Sequence, residues 1–272
     1  DEAGQMALPN VVAVSQAATN LVLLGDPRQL EQPRRGDHPD GVDVSALEHI
    51  LDGHQTIPDD RGIFPPETWR LPPSICRFTS ELFYEGRLAS RAGLDRQRIL
   101  GVDGLPESGL ALMCVEHEGN RSSCDEEVGV VATAIARLTE PQARWVDHAG
   151  LVRELRGSDV LVIAPYNLQV NRLTDRLTGT GVRVGTVDRF QGQEAAVVIY
   201  SMTASRPEDA PRGMEFLFSL NRLNVATSRA RCLAIVVASP KLFEAECRTP
   251  RQMQLANGLC RYRELATEAR LQ

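Results

Sequence analysis

Two acids, Asp1 and Glu2, open the chain and are followed by Ala3-Gly4-Gln5. Adjacent carboxylates at the foot of a strand suit phosphoryl transfer. The first holds a Mg²⁺ that bridges the outer phosphates, and the second orients or deprotonates the attacking water. The same pair at a helix start would do something plainer, stabilising the helix dipole. Downstream, Leu21-Val22-Leu23-Leu24 runs into Gly25-Asp26-Pro27-Arg28-Gln29-Leu30, a buried-strand pattern ending in a turn that delivers an amide. Ligands of open α/β sheets bind beyond the carboxyl ends of strands, so Gln29 and the two acids are expected to reach one crevice. An amide there can bond a terminal phosphate and report its loss. One group such a site needs is absent from the sequence: Lys241 is the only lysine, so no Gly-x-x-x-x-Gly-Lys-[Ser/Thr] phosphate loop is encoded here. The expectation is a fragment that begins within a site and does not turn over ATP by itself.

Positioning these groups requires alternating strands and helices. Apolar runs at residues 21–25, 110–115, 160–164, 182–187, 196–201 and 232–238 read as strands, and amphipathic segments at 5–17, 45–51, 73–83, 125–138, 167–177 and 220–229 as helices. That alternation predicts a doubly wound α/β fold, a parallel sheet covered on both faces. Residues 31–43 and 89–109, dense in Pro, Gly, Asp and Arg, read as loops. A division near residues 69–73 separates residues 1–68, the remainder of one α/β domain, from a second domain at 69–272.

With 272 residues and a net charge of -6, the chain is not a protein that coats nucleic acid by bulk charge, although a narrow binding channel is compatible with that charge. Positive charge carried almost wholly by arginine fits phosphate-binding forks, but a biased genome explains the same composition more cheaply. The six cysteines include no Cys-x-x-Cys pair and no histidine at zinc-ligand spacing, and so read as reduced, mostly buried small hydrophobes. No apolar run has membrane-span length and no signal peptide is recognisable, so the default compartment is the cytoplasm.

Taken together, Asp1-Glu2-Ala3-Gly4-Gln5 and Gly25-Asp26-Pro27-Arg28-Gln29-Leu30 resemble motifs II and III of the superfamily 1 helicases. The Gln-Leu ending is similar to the 5′ to 3′ branch that holds the nonsense-mediated decay helicase and the Okazaki-fragment helicase-nuclease. Further motifs follow in order. Thr68-Trp69-Arg70-Leu71 resembles the start of motif IV, Ala164-Pro165-Tyr166-Asn167 a nucleic-acid motif, Val187-Asp188-Arg189-Phe190-Gln191-Gly192-Gln193-Glu194 motif V, and Leu223-Asn224-Val225-Ala226-Thr227-Ser228-Arg229-Ala230-Arg231 motif VI. The resemblance implies a RecA-like P-loop NTPase fold with a partial first lobe and a complete second lobe. The implied cofactors are ATP and Mg²⁺, with Asp1 on the metal and Glu2 on the water.

Carried over by position, Arg70 and Arg229 become arginine fingers reaching across the cleft, and Gln29 joins them as a catalytic residue. Trp69 becomes the aromatic face for adenine, with burial in the second core as the alternative. Gln191, Gly192 and Glu194 would touch nucleotide, the glycine by allowing close backbone approach and Glu194 by meeting the ribose. Pro165, Tyr166 and Asn167 would hold a single strand, with Tyr166 as a base-stacking ring. Thr186 and Asp188 would line the same track. Ordinary turn chemistry is the competing reading, in which Asn167 caps its helix. A softer resemblance over residues 69–88 points to bacterial RecB-like nuclease-helicase fusions, which would place a nuclease before residue 1 and favours DNA over RNA.

The leading reading is therefore the motor portion of an ATP-dependent helicase or translocase acting on single-stranded nucleic acid. The alternative is a non-enzymatic RecA-like module that binds nucleic acid or a partner. A nucleotide-dependent oxidoreductase would need a glycine-rich dinucleotide turn, which the sequence lacks.

Overall fold

The computed structural model describes residues 1–30 and 44–271, so the loop expected at 31–43 lies outside the described residues. Its centre is a six-stranded parallel sheet built from β4 (Gly109–Cys114), β7 (Val160–Ile163), β8 (Arg183–Gly185), β9 (Ala195–Ser201), β10 (Ala230–Ala238) and β11 (Thr267–Glu268), in the order β11-β4-β10-β9-β7-β8. The register sets Leu233 of β10 beside Gly109 and Val197, and Val160 of β7 beside Val197. The four central strands read as unbroken apolar runs because both faces are covered. Side chains alternate between faces with period two. Leu110, Leu112, Leu161, Ile163, Ala234 and Val236 therefore enter one core, and Ala111, Met113, Val160, Val162, Leu233 and Ile235 the other.

Helices α3 (Pro73–Phe83), α7 (Leu220–Ser228) and α8 (Pro250–Leu265) close the first face, where Ile75, Phe78, Leu223, Leu255, Leu259 and Tyr262 are buried. Helices α4 (Asp125–Leu138) and α5 (Asn167–Arg176) close the second with Val131, Ile135, Leu138 and Leu173. Their starts are written in the sequence. Pro73 occupies the first turn of α3, where no backbone donor is wanted. Asp125, Glu126 and Glu127 fill the first turn of α4, and Thr249 caps α8 by accepting from Gln252 N at 3.1 Å. No helix among the described residues is long and apolar enough to cross a membrane.

The remaining elements are smaller: α1 (Leu8–Ser15), α2 (Ala46–Leu51) and α6 (Met214–Leu217), a parallel pair of β1 (Glu67–Thr68) with β2 (Ala89–Ser90), and an antiparallel sheet of β3 (Arg98–Leu100), β5 (Arg144–Val146) and β6 (Val152–Glu154). The segment expected as loop at 89–109 thus contributes two short strands, whose three or fewer residues carry too little periodicity to be read. The strand expected at 21–25 does not form. Ala3 N donates to Leu24 O at 2.8 Å, yet Val22 is 77% exposed and Leu24 59%. A strand needs a row of backbone partners, and the described residues give this one a single bond. What holds the two segments together is close approach. A Cβ on Gly25 would lie 2.7 Å from Ala3 N, and one on Gly4 only 2.6 Å from Asp26 O. Mostly parallel strands covered on both faces by helices make this an α/β, RecA-like fold.

Candidate nucleotide cleft and nucleic-acid edge

Chain turns carry the candidate groups to two opposite edges of the sheet. Glu194 immediately precedes β9 and Arg229 immediately precedes β10, and Ala195 N donates to Arg229 O at 3.0 Å. Both residues therefore sit side by side at the amino ends of neighbouring strands. The turn of residues 25–29 meets them there: Arg229 Nη2 donates to Gln29 Oε1 at 2.8 Å, and Gln191 Nε2 donates to Glu2 Oε2 at 3.1 Å. Four of the residues singled out from sequence, some 190 to 200 positions apart, are thus paired directly. Glu2 itself adopts φ 56°, a left-handed conformation that costs a non-glycine residue about 1 kcal/mol or more.

Behind that contact lies a second layer. Asp26 Oδ2 accepts from Gln29 Nε2 at 3.0 Å and from Tyr84 Oη at 2.5 Å, while its Oδ1 accepts from Arg28 N at 2.9 Å. Asn224, fully buried, donates to Arg28 O at 2.9 Å and to Tyr84 Oη at 3.2 Å. The side chain that meets Arg229 is therefore held from α3 and α7. Arg229 is only 3% exposed, its Nε has no hydrogen-bond partner, and burial together with the neighbouring Arg70 charge pulls its pKa down to about 10. A buried cation with an unfilled donor, next in the chain to the cleft-lining Ser228, is complementary to an anion. The residues present therefore fit the phosphate end of a nucleotide.

Arg70 occupies the same edge in a different state. Its Nε bonds Glu194 Oε2 at 2.7 Å, its Nη1 bonds Ser228 O at 3.2 Å, and Arg231 takes the other oxygen of Glu194. Burial works to raise the Glu194 pKa, but the bonds from Arg231 and Arg70 outweigh it and hold the carboxyl below its ordinary value of 4.5. Glu194 is thus engaged as a clamp between two guanidiniums. Trp69 is 72% exposed, so it is not core, and the Arg91 guanidinium carbon lies 3.3 Å from the centre of its ring. Trp69, Arg70, Gln29, Glu194 and Arg231 line a cleft of about 1010 Å³. Gly192 has φ 75° with nothing within 4 Å of a Cβ, so a left-handed turn calls for glycine there and close approach does not. Asp1 is exposed, and its carboxylate accepts from Glu2 N at 2.9 Å. A Mg²⁺ bound by one or two carboxylates plus phosphates needs no preformed cage.

The opposite, carboxyl edge is formed where β9, β7 and β8 end beside one another. Pro165 and Tyr166 follow β7 but are buried, and Tyr166 is 7% exposed with an unpartnered hydroxyl. Tyr166 is therefore not an open stacking ring, a correction caused by Phe216 of α6, whose ring centre lies 5.8 Å away and covers it. Asn167 is exposed and begins α5 without any side-chain cap in place. Thr186 precedes a short 3-10 turn at Val187–Phe190, and Asp188 pairs with Arg222 at 3.1 Å. Arg222 and Arg212 stack on Phe216 with guanidinium carbons 4.4 and 3.8 Å from its ring centre. Sequence reasoning missed Phe216, Arg212 and Arg222. It also missed the roles of Tyr84 and Asn224, although both stand inside motif stretches.

A third cluster lies deeper. Glu127 accepts from Ser201 Oγ at 2.5 Å and Thr203 N at 2.9 Å, and its other oxygen meets His117 Nε2 at 3.2 Å, while His117 Nδ1 meets Ser205 Oγ at 2.8 Å. His117, Cys124 and Glu127 bring ligand atoms within 4.8 Å of one another. Each of those atoms already has a hydrogen-bond partner, and burial raises the Cys124 thiol far above its usual range, so the cluster reads as a satisfied structural network.

A family model described as "AAA domain" matches residues 43–241. Among curated proteins the chain is similar to the probable RNA helicase armi of Drosophila melanogaster, at 29% identity over 286 residues, covering 90% of this chain and 23% of that protein. It is also similar to the RNA helicase Mov10l1 of Mus musculus, at 28% identity with 89% and 22% covered. A further relative is the DNA replication ATP-dependent helicase/nuclease dna2 of Schizosaccharomyces pombe, at 28% with 88% and 18% covered. The chain thus spans about a fifth of the length of these relatives. Among solved structures, the C-terminal domain of a possible DNA helicase from Lactobacillus plantarum aligns at TM-score 0.41 and 15% identity, covering 74% of this chain and 98% of that one. With the family model spanning most of its length, the chain belongs to this AAA-domain family, in the 5′ to 3′ branch of the superfamily 1 helicases.

Proposed function

We propose that this chain is the motor portion of an ATP-dependent helicase or translocase, coupling ATP hydrolysis to 5′ to 3′ movement along a single strand, with DNA as the first substrate to test. The observation that carries the reading is the joining of residues 1–29 to residues 191–229 through Glu2–Gln191 and Gln29–Arg229, beside a buried guanidinium with an unfilled donor. Residues 1–68 and 69–272 are taken as the two lobes whose closure these contacts represent. ATP with Mg²⁺, when bound, supplies the phosphoryl group whose transfer to water changes the charge within the cleft. Asp1 would hold the metal, and Glu2 would orient the attacking water and take its proton. Arg229 would neutralise charge developing on the transferred group, a role that suits a permanently charged planar fork. Arg70 would join it by exchanging its bond to Glu194. Gln29, released from or bound to Arg229, would report the state of the terminal phosphate.

The segment of residues 186–194 supports coupling between the edges. It starts at the carboxyl edge with Thr186 and Asp188 and ends at the amino edge with Gln191 and Glu194. A strand held at one edge and a nucleotide at the other would therefore pull on one short crossover. Because no phosphate loop is encoded in these residues, the chain alone is expected not to hydrolyse ATP. A longer protein carrying such a loop would also be where a RecB-like nuclease and a cytoplasmic location belong as expectations. In that protein Glu2→Gln should abolish hydrolysis while sparing ATP binding, and near-normal turnover would remove Glu2 from its role. Strand displacement on matched DNA and RNA substrates distinguishes the two nucleic acids. The non-enzymatic reading gains support if the longer protein binds ATP but never hydrolyses it.

A further inference from the structure

Phe216 stands at the carboxyl edge on α6, one face of a four-residue helix reached from β9 through the left-handed Gly213, φ 79°. Its ring is backed by Tyr166 at 5.8 Å and carries two guanidiniums, Arg212 at 3.8 Å and Arg222 at 4.4 Å. The two arginines differ in what else they do. Arg222 is mostly buried, with its side chain 17% exposed, and is neutralised by Asp188 at 3.1 Å. Arg212 is exposed and forms no ion pair with any carboxylate among the described residues. An exposed arginine with no ionic partner ordinarily keeps its rotamer freedom. Here the guanidinium carbon instead sits 3.8 Å from the centre of an aromatic ring, on a residue that stays exposed. Among the described residues no carboxylate pairs with it and no second ring stacks on it, and one ligand class supplies both: a nucleic-acid base offers the π-face and its phosphate the charge. An acidic peptide would use the charge and leave the stacked face idle.

We infer that Arg212, seated on Phe216, is the base-stacking shelf for a single-stranded polynucleotide at the carboxyl edge, taking the part that burial denies Tyr166. Arg222 and Asp188 are positioning residues that keep the Phe216 ring in place, and Asn167 lies on the same rim. The inference rests on the strand-binding reading above and goes further by naming the stacking residue.

The test is fluorescence anisotropy of a fluorescein-labelled oligo(dT) strand, and of the same strand with abasic sites, titrated with this chain. Stacking of one base contributes about 1–3 kcal/mol by alanine substitution, so Arg212→Ala is expected to weaken oligo(dT) binding by roughly 5- to 150-fold. Arg212→Lys keeps the charge and cannot stack, so it should lose most of that factor while leaving the salt dependence of binding unchanged. On the abasic strand, wild type and Arg212→Lys should converge. Arg212 is exposed, so its variants should fold, which circular dichroism verifies, and Phe216→Leu provides a second route by removing the shelf beneath it. If wild type binds oligo(dT) and Arg212→Lys binds it equally well, the stacking shelf is wrong and strand binding stands. If wild type binds no strand at all, the strand-binding reading falls and takes the shelf with it.

Discussion

Tyr84→Phe isolates the second layer of the nucleotide cleft with the removal of one oxygen. The hydroxyl donates to the Asp26 carboxylate at 2.5 Å and accepts from Asn224 at 3.2 Å. A bond to a charged acceptor is worth about 1.5–3 kcal/mol, and the long neutral bond from Asn224 adds roughly 0.5 kcal/mol at most. Neither partner is orphaned by the change. Asp26 keeps Arg28 N and Gln29 Nε2, and Asn224 keeps Arg28 O, so no full desolvation penalty is added. Ring packing against Phe64 at 6.0 Å and Phe83 at 6.4 Å is preserved, so no cavity forms. The expected loss is therefore about 2–3 kcal/mol, well short of the roughly 3–5 kcal/mol of an aromatic deleted to alanine. Urea denaturation of this chain should show it as a lower midpoint at an unchanged slope. A double-mutant cycle with Asp26→Asn should return a coupling of at least about 1 kcal/mol. Additivity within about 0.3 kcal/mol would refute the bond and with it the idea that α3 steadies Gln29. Where ATP is hydrolysed, the same variant should lower kcat more than it raises KM, because Asp26 with one anchor fewer holds the Gln29 amide less firmly against Arg229.

Three other outcomes are expected. Glu127→Ala strips from Thr203 N its only acceptor among the described residues and takes a partner from Ser201 and His117 in the interior, and should cost about 3–5 kcal/mol by calorimetry, whereas Glu127→Gln, whose amide oxygen can still accept from Ser201 and Thr203, should cost about 1–2 kcal/mol. Glu194 is held below its ordinary pKa of 4.5, so its clamp on Arg70 and Arg231 contributes fully above that value and is lost as pH falls through the lower folded-state pKa; the stability-versus-pH curve of Glu194→Gln should therefore run parallel to wild type in strong acid and fall below it toward neutrality. Gly192→Ala meets no atom and should lose only about 1–2 kcal/mol, for its left-handed φ alone, while Gly157→Ala, whose Cβ would lie 1.9 Å from Thr180 O, should lose clearly more in the same melting experiment.

Much of the sheet was legible because its central strands are buried on both faces. Residues 110–115, 160–164, 196–201 and 232–238 read as apolar runs and fold as β4, β7, β9 and β10. Helices α3 and α4 were readable to the residue, because Pro73 and the acids at 125–127 mark their starts. The segment at 21–25 was misread for the complementary reason: an apolar run shows that burial is available, and only partners make it a strand. Helix α8 went unread despite Leu255, Leu259 and Tyr262 at helical spacing, since its other positions are mixed and its burial is decided by β4 and β10, whose Ala111 and Ala234 carbonyls accept from Tyr262 Oη.

By itself, then, the sequence determined which groups with chemistry the chain possesses and in what order, because motif spacing along a chain is fixed covalently. It placed Asp1, Glu2, Gln29, Arg70, Gln191 and Arg229 as candidates for one cleft, and it showed that no phosphate-loop lysine accompanies them. Tertiary structure alone decided which of these groups face each other and in what state. Contacts across some 190 to 200 residues pair Glu2 with Gln191 and Gln29 with Arg229, and others at 37 to 124 residues clamp Arg70 and Arg231 on Glu194, while Phe216 buries Tyr166 from 50 residues away. Hydrogen bonds, burial and ring stacking act over a few ångströms of space, and no local pattern of residues carries that distance.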